Sequence, residues 1–240
     1  MGNFTIVNGQ IYTPGLAIVD APQPYTPLGG DTLQVAIDVS GNGQLPWPPS
    51  TQSDNAATLF HNITLFLTSE SQSHNFTLSN GTVPPGNSSG YVGPVLDLEP
   101  SSTVKHVNWV WPKCFVGNGD SSDGTARGAY NISMHQSFRW NDTDYYTVFN
   151  LPISVTNSIS QSSDRVDCAL LENEMVEAKN DGSETLPGQP WLEGGSSGSS
   201  GTATASGASA TSTSVGTRVQ KKAALAAAGA VWWVIWHLMG

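Results

Sequence analysis

Between Tyr130 and Val155, apolar residues recur at alternate positions on both sides of a single turn. Tyr130, Ile132, Met134, Phe138 and Trp140 share one parity, and Asn131, Ser133, His135, Ser137 and Arg139 the other. After Asn141-Asp142-Thr143-Asp144 the pattern returns with Phe149, Leu151, Ile153 and Val155 in phase. Strand side chains alternate between faces, so this stretch buries one face of a long hairpin and wets the other. Pro152 marks the returning strand, Tyr145 to Val155, as an edge.

The same period recurs upstream. Thr32 to Ser40 puts Leu33, Val35, Ile37 and Val39 on one face and Gln34, Ala36, Asp38 and Ser40 on the other. Phe60 to Ser69 does so with Ile63, Leu65 and Leu67, and Val104 to Trp111 runs until Pro112 stops it. Shorter strands are expected at Leu16 to Val19, Asn75 to Ser79 and Val95 to Leu98, each bounded by Gly, Pro or Asn. Seven or eight strands at this spacing predict an all-β domain, an antiparallel β-sandwich of immunoglobulin-like type, with a barrel as the alternative. One short helix is expected over Asp164 to Lys179, with Val166, Ala169, Leu170 and Val176 inward.

This domain is expected to occupy residues 1–180. Residues 181–222 are dominated by Ser, Thr, Gly and Ala and predict a disordered stalk. Arg218, Lys221 and Lys222 then precede an apolar tail, 223–240, that includes Trp232, Trp233, Val234, Ile235 and Trp236. Small residues, a polar spacer and an apolar end are the parts of a glycosylphosphatidylinositol (GPI) attachment signal. A spacer of roughly 8 to 12 residues places the attachment residue between Ala208 and Ser212, with Ser209 the best fit. A retained membrane helix and a soluble helix are the alternatives, although about 17 apolar residues is at the short limit for a span. The first residues, Met1-Gly2-Asn3-Phe4-Thr5, lack the basic and apolar regions of a secretory leader, so the anchored reading expects a leader upstream of Asn3.

An extracellular location also fits the cysteines and the asparagines. Cys114 and Cys168 are the only two cysteines, an even number that predicts one disulfide in an oxidising compartment. Seven Asn-x-Ser/Thr sequons stand at Asn3, Asn62, Asn75, Asn80, Asn87, Asn131 and Asn141, all before the stalk. A net charge of -10 leaves no basic footprint for nucleic acid.

Few residues suggest chemistry. Asp97 and Glu99 on one face of a strand would sit about 6.5 to 7 Å apart, a spacing compatible with a glycosidase pair. The competing reading is an acidic outer face. Trp109 and Trp111 share a strand face, and Trp47 lies in a Pro-rich loop, so these three are candidates for a sugar-stacking platform, with core packing as the other reading for Trp109 and Trp111. Asn118, Asp120 and Asp123 offer oxygens in a Gly-rich loop but miss the EF-hand spacing. His61, His74, His106, His135 and His237 show no metal-ligand spacing. No cofactor and no metal is expected.

Three stretches carry a resemblance: Gly29-Gly30-Asp31-Thr32-Leu33, Val107-Asn108-Trp109-Val110-Trp111-Pro112-Lys113-Cys114, and Tyr145-Tyr146-Thr147-Val148-Phe149-Asn150-Leu151-Pro152-Ile153. With the Ser/Thr-rich stalk behind them, the chain resembles the GPI-anchored cell-surface proteins of filamentous ascomycete fungi. The resemblance implies a non-enzymatic glycoprotein held at the cell surface, with the membrane, through the GPI lipid or a C-terminal helix, and cell-wall polysaccharide as partners. A carbohydrate-binding module is the second expectation and a secreted glycoside hydrolase the third.

Overall fold

The alternating segments do form strands. A computed structural model describes residues 4–46, 55–84, 86, 90–119, 124–175, 186 and 188–192, and among these it has ten strands in two five-stranded sheets. The strands are β1 (Thr5–Val7), β2 (Gln10–Tyr12), β3 (Ile18–Ala21), β4 (Pro27–Leu28), β5 (Thr32–Asp38), β6 (Leu59–Ser69), β7 (His74–Ser79), β8 (Val104–Val110), β9 (Gly128–Trp140) and β10 (Thr143–Val155). The first sheet runs β1-β2-β3-β5-β8 and the second β4-β10-β9-β6-β7. The all-β sandwich expected from the alternation is therefore what the chain adopts, with ten strands instead of seven or eight.

The added strands are β1 and β2 ahead of the first expected strand, and two-residue β4. Asn8 and Gly9 both take positive φ, 52° and 83°, and turn β1 onto β2. Asn-Gly is the strongest short hairpin signal, because a tight turn of this kind needs left-handed backbone at both central residues. The long hairpin closes in the same way at Asn141 and Asp142, φ 49° and 61°. Pro152 does lie toward an edge. Its carbonyl accepts from Tyr25 N at 2.6 Å on the side away from β9, so its missing N–H costs the β9–β10 ladder nothing. Only two-residue β4 pairs with that side of β10, in parallel.

The inward faces meet in one apolar core built from both sheets. Aromatic rings fill its middle: Phe115 lies 5.2 Å from Trp111, 5.3 Å from Phe76 and 5.5 Å from Tyr130, centroid to centroid. Edge and tilted contacts of this kind each contribute about 0.5 to 1.5 kcal/mol beyond burial. One polar tie crosses the core. Fully buried Gln136 of β9 accepts from Ala17 N and donates to Thr13 Oγ1, both at 2.9 Å, and so holds the β2–β3 connection. A Cβ on Gly15 would come within 2.4 Å of the Gln136 amide, so the approach requires glycine.

Three expectations are corrected. Residues Val95–Asp97 form a 3-10 turn, not a strand, because the flanking Pro94 and Pro100 prevent ladder pairing and Leu98 N closes onto Val95 O. Between Asp164 and Met175 the expected helix shrinks to the 3-10 turn Cys168–Leu170; Val176 to Lys179 lie outside the described residues. Tertiary anchors outweigh helix propensity there. Buried Arg165 donates to the carbonyls of Ser160 and Trp111 at 2.8 Å, Cys168 is disulfide-bonded to Cys114, and Asn173 N bonds Asn75 O along the edge of β7. The disulfide spans a sequence separation of 54, a loop worth about 4 kcal/mol in the chain-entropy model.

The third correction moves the domain boundary past residue 180. Leu186 and Trp191 are buried in the core, and Trp191 donates from Nε1 to Leu16 O at 2.8 Å while its ring packs edge-on against Trp140. The packed domain therefore takes in Leu186, Trp191 and Leu192, from a stretch assigned by composition to the stalk.

Candidate functional site

Trp109 and Trp111 are wholly buried. Their rings pack 5.6 Å apart and against Phe115, and a ring with no solvent-facing side offers nothing to a sugar. The platform reading is therefore withdrawn for both in favour of core packing. Trp47 lies outside the described residues, as do Asp120 and Asp123 of the oxygen-rich loop.

Asp97 and Glu99 do not share a strand face. Glu99 sits beyond the 3-10 turn with φ 43°, and its Oε2 accepts from His106 N at 3.0 Å and pairs with His106 Nδ1 at 2.8 Å. The His106 hydrogen bonds hold the carboxyl below the usual carboxylate range. A glycosidase acid needs the opposite shift. Beneath this turn lies a cation on the buried parity of β8: Lys105 is fully buried, and its Nζ donates to Leu98 O at 2.5 Å and Glu99 O at 3.2 Å. Burial pushes its ammonium below the ordinary lysine value.

The second sheet carries the sequons. Its solvent side holds Asn62 on β6, Asn75 on β7 and Asn131 on β9, while Asn80 follows β7 and Asn141 opens the β9–β10 turn. None of these five is buried, and Asn80 and Asn141 are exposed. Their surroundings differ. Asn80 Oδ1 accepts from both Thr82 N and Thr82 Oγ1, at 3.0 and 2.7 Å. Asn75 Nδ2 donates to Glu174 O at 3.2 Å. The Asn62 amide lies against Gly81, where a Cβ would be 2.5 Å from Nδ2. Asn3 and Asn87 lie outside the described residues.

On the same face stands an aromatic cluster that the sequence does not reveal. Phe66 of β6 packs edge-on to His135 of β9 at 5.2 Å, and His135 Nδ1 bonds the hydroxyl of Tyr146 on β10. Ser133 Oγ bonds the other ring nitrogen at 3.2 Å. Tyr146 is 39% exposed. At the hairpin end of the face, Asp144 bonds both His61, at 2.9 Å, and Arg139, at 3.0 Å. Those two hydrogen bonds hold its carboxyl below the ordinary value, His61 contributing most.

Among the described residues no group of three His, Cys, Asp or Glu is placed to hold a metal, and no helix is long and apolar enough to cross a membrane. Ser209, His237 and the apolar tail 223–240 lie outside the described residues. Comparison with protein-family models, curated proteins and solved structures finds no match.

Proposed function

We propose that this chain is a non-enzymatic, GPI-anchored cell-surface glycoprotein of the filamentous ascomycete type, whose sandwich serves wall organisation, adhesion or host contact. The observation that carries this reading is the position of the sequons. All five in the described residues lie on the outward parity of one sheet or in its turns, and the two in turns, Asn80 and Asn141, are exposed, as a glycan requires. The Cys114–Cys168 disulfide is in keeping with an oxidising compartment. The GPI signal in the last residues supplies the tether. Catalysis by Asp97 and Glu99 finds no support in a carboxylate held ionised by His106.

The test is surface release. The full chain, placed behind a secretory leader in a fungal host, is treated on intact cells with phosphatidylinositol-specific phospholipase C and with glucanase. Release of an endoglycosidase-sensitive protein lacking residues 223–240 is the expected result. An intact tail retained inside the cell, with no glycan on any sequon, overturns the proposal.

A further inference from the structure

Aromatic side chains on the solvent side of a sheet raise the question of what covers them. Phe66, His135 and Tyr146 lie on three adjoining strands, β6, β9 and β10, and His135 is fixed in place by its bonds to Tyr146 and Ser133. The strand register places a sequon beside them. Asn131 is opposite Thr68 on β6, and Ser133 is opposite Phe66, so Phe66 is the diagonal neighbour of Asn131, at about 7 to 8 Å. The intervening surface is uncharged: Thr64, Thr68, Val148, Asn150 and Pro152 share it, with Ser133 buried among them, whereas Arg139, Asp144 and His61 gather at the hairpin end. An uncharged surface with an aromatic ring suits an uncharged sugar, whose apolar C–H side packs on the ring while its hydroxyls reach side-chain hydroxyls and amides.

The other two sequons of this face point elsewhere. The Asn62 amide lies under the turn at Gly81, and Asn75 Nδ2 is bonded to Glu174 O. We infer that the N-glycan borne by Asn131 folds back along the second sheet, its first N-acetylglucosamine residues packing on Phe66 beside the His135–Tyr146 pair. The inference rests on the secreted-glycoprotein reading above. The glycan arrives by transfer of an oligosaccharide from a lipid diphosphate donor: the sugar C1–O bond breaks, a C1–N bond to Asn131 Nδ2 forms, and the nitrogen loses one proton as the lipid diphosphate leaves. A platform already fixed by hydrogen bonds lowers the ordering cost of seating the sugar.

The experiment expresses the full chain behind a secretory leader in a eukaryotic host, releases it from the cell surface with phosphatidylinositol-specific phospholipase C, maps the occupied sequons by glycopeptide mass spectrometry and runs a double-mutant cycle of Asn131→Gln with Phe66→Leu. Phe66→Leu keeps apolar bulk without a ring, and Phe66→Ser repeats the cycle with no apolar group. With Phe66 present, Asn131→Gln is expected to lower the thermal midpoint by roughly 3 °C; without the ring the same change lowers it by less than about 1 °C. Equal shifts in both backgrounds overturn the packing. So does an unoccupied Asn131 while Asn80 and Asn141 carry sugar. Sugar on none of the sequons overturns this inference and the glycoprotein reading together.

Discussion

Trp191 fills the space beside Gly41: a Cβ on residue 41, where φ is 59°, would meet the indole ring at 2.7 Å. The same indole donates to Leu16 O, so a residue from a stretch assigned by composition to the stalk closes one end of the core. Trp191→Ala is expected to cost about 3 to 5 kcal/mol, the range for a buried Trp in a core. Truncation after residue 192 is expected to leave the thermal midpoint near that of the full chain, and truncation after 185 to lower it by several degrees, since about 1 kcal/mol moves a domain of this size by roughly 2 to 4 °C. Equal midpoints for the two truncations would return the boundary to residue 180.

Lys105 is expected to act as a tie. Replacing it with Met keeps most of the buried stem and removes both bonds to the Leu98 and Glu99 carbonyls. A bond from a charged donor contributes about 1.5 to 3 kcal/mol, and removal of a buried charge offsets part of that, so a net loss of about 2 kcal/mol at pH 7 is expected in urea unfolding. The pH dependence carries a second signature. Because burial lowers the folded-state value, the unfolded chain binds the proton more tightly between that value and the ordinary lysine pKa near 10.4. Stability contributed by this group therefore rises with pH across that window, and Lys105→Met removes the rise.

Glu99 gives the opposite window. Its folded-state pKa is depressed by the His106 side-chain bond first and the His106 backbone N–H second. Its contribution is fully present above the ordinary carboxyl pKa and is lost as pH falls through the folded value. A carboxyl-detected NMR titration is expected to place the Glu99 midpoint below about 4.3, and His106→Ala to return it most of the way. A midpoint unchanged by His106→Ala would assign the shift to the backbone.

Legibility in the sequence tracked how local the deciding interaction was. The β9–β10 hairpin was readable because period-two alternation and a turn of Asn and Asp agree over 28 consecutive residues, Gly128 to Val155. The β1–β2 hairpin escaped although Asn8-Gly9 announces it, because each flanking strand has only three residues and one turn of alternation is no pattern. Lys105 and Gln136 sit on buried parities where hydropathy puts no cation or amide, and only their partners, Leu98 O and the Thr13–Ala17 connection, account for them. The cluster of Phe66, His135 and Tyr146 depends on β9 lying between β6 and β10, and pairs such as His61–Asp144, 83 residues apart, depend on the same order. Composition hid Trp191, since a window average over Ser, Thr and Gly conceals one aromatic anchor.

The turn between β9 and β10 offers a test whose sign changes with the side chain. Asn141 and Asp142 both hold left-handed backbone, and Asp142 N bonds Ala57 O at 2.9 Å, so the conformation is fixed from outside the hairpin as well as within it. Left-handed backbone costs an ordinary L-residue roughly 1 to 2 kcal/mol, and Asp somewhat less, whereas glycine enters it freely but loses about 0.5 to 1 kcal/mol more chain entropy on folding. Asp142→Gly is therefore expected to be neutral to stabilising by about 0.5 kcal/mol, and it keeps the Asn141 sequon. Asp142→Ile should cost at least about 1 kcal/mol, because a β-branched residue is a true outlier at positive φ. Urea unfolding of the three proteins decides the matter: an Ile variant as stable as the Gly variant would mean that the turn relaxes out of its left-handed geometry, and with it the register of the longest strand pair in the domain.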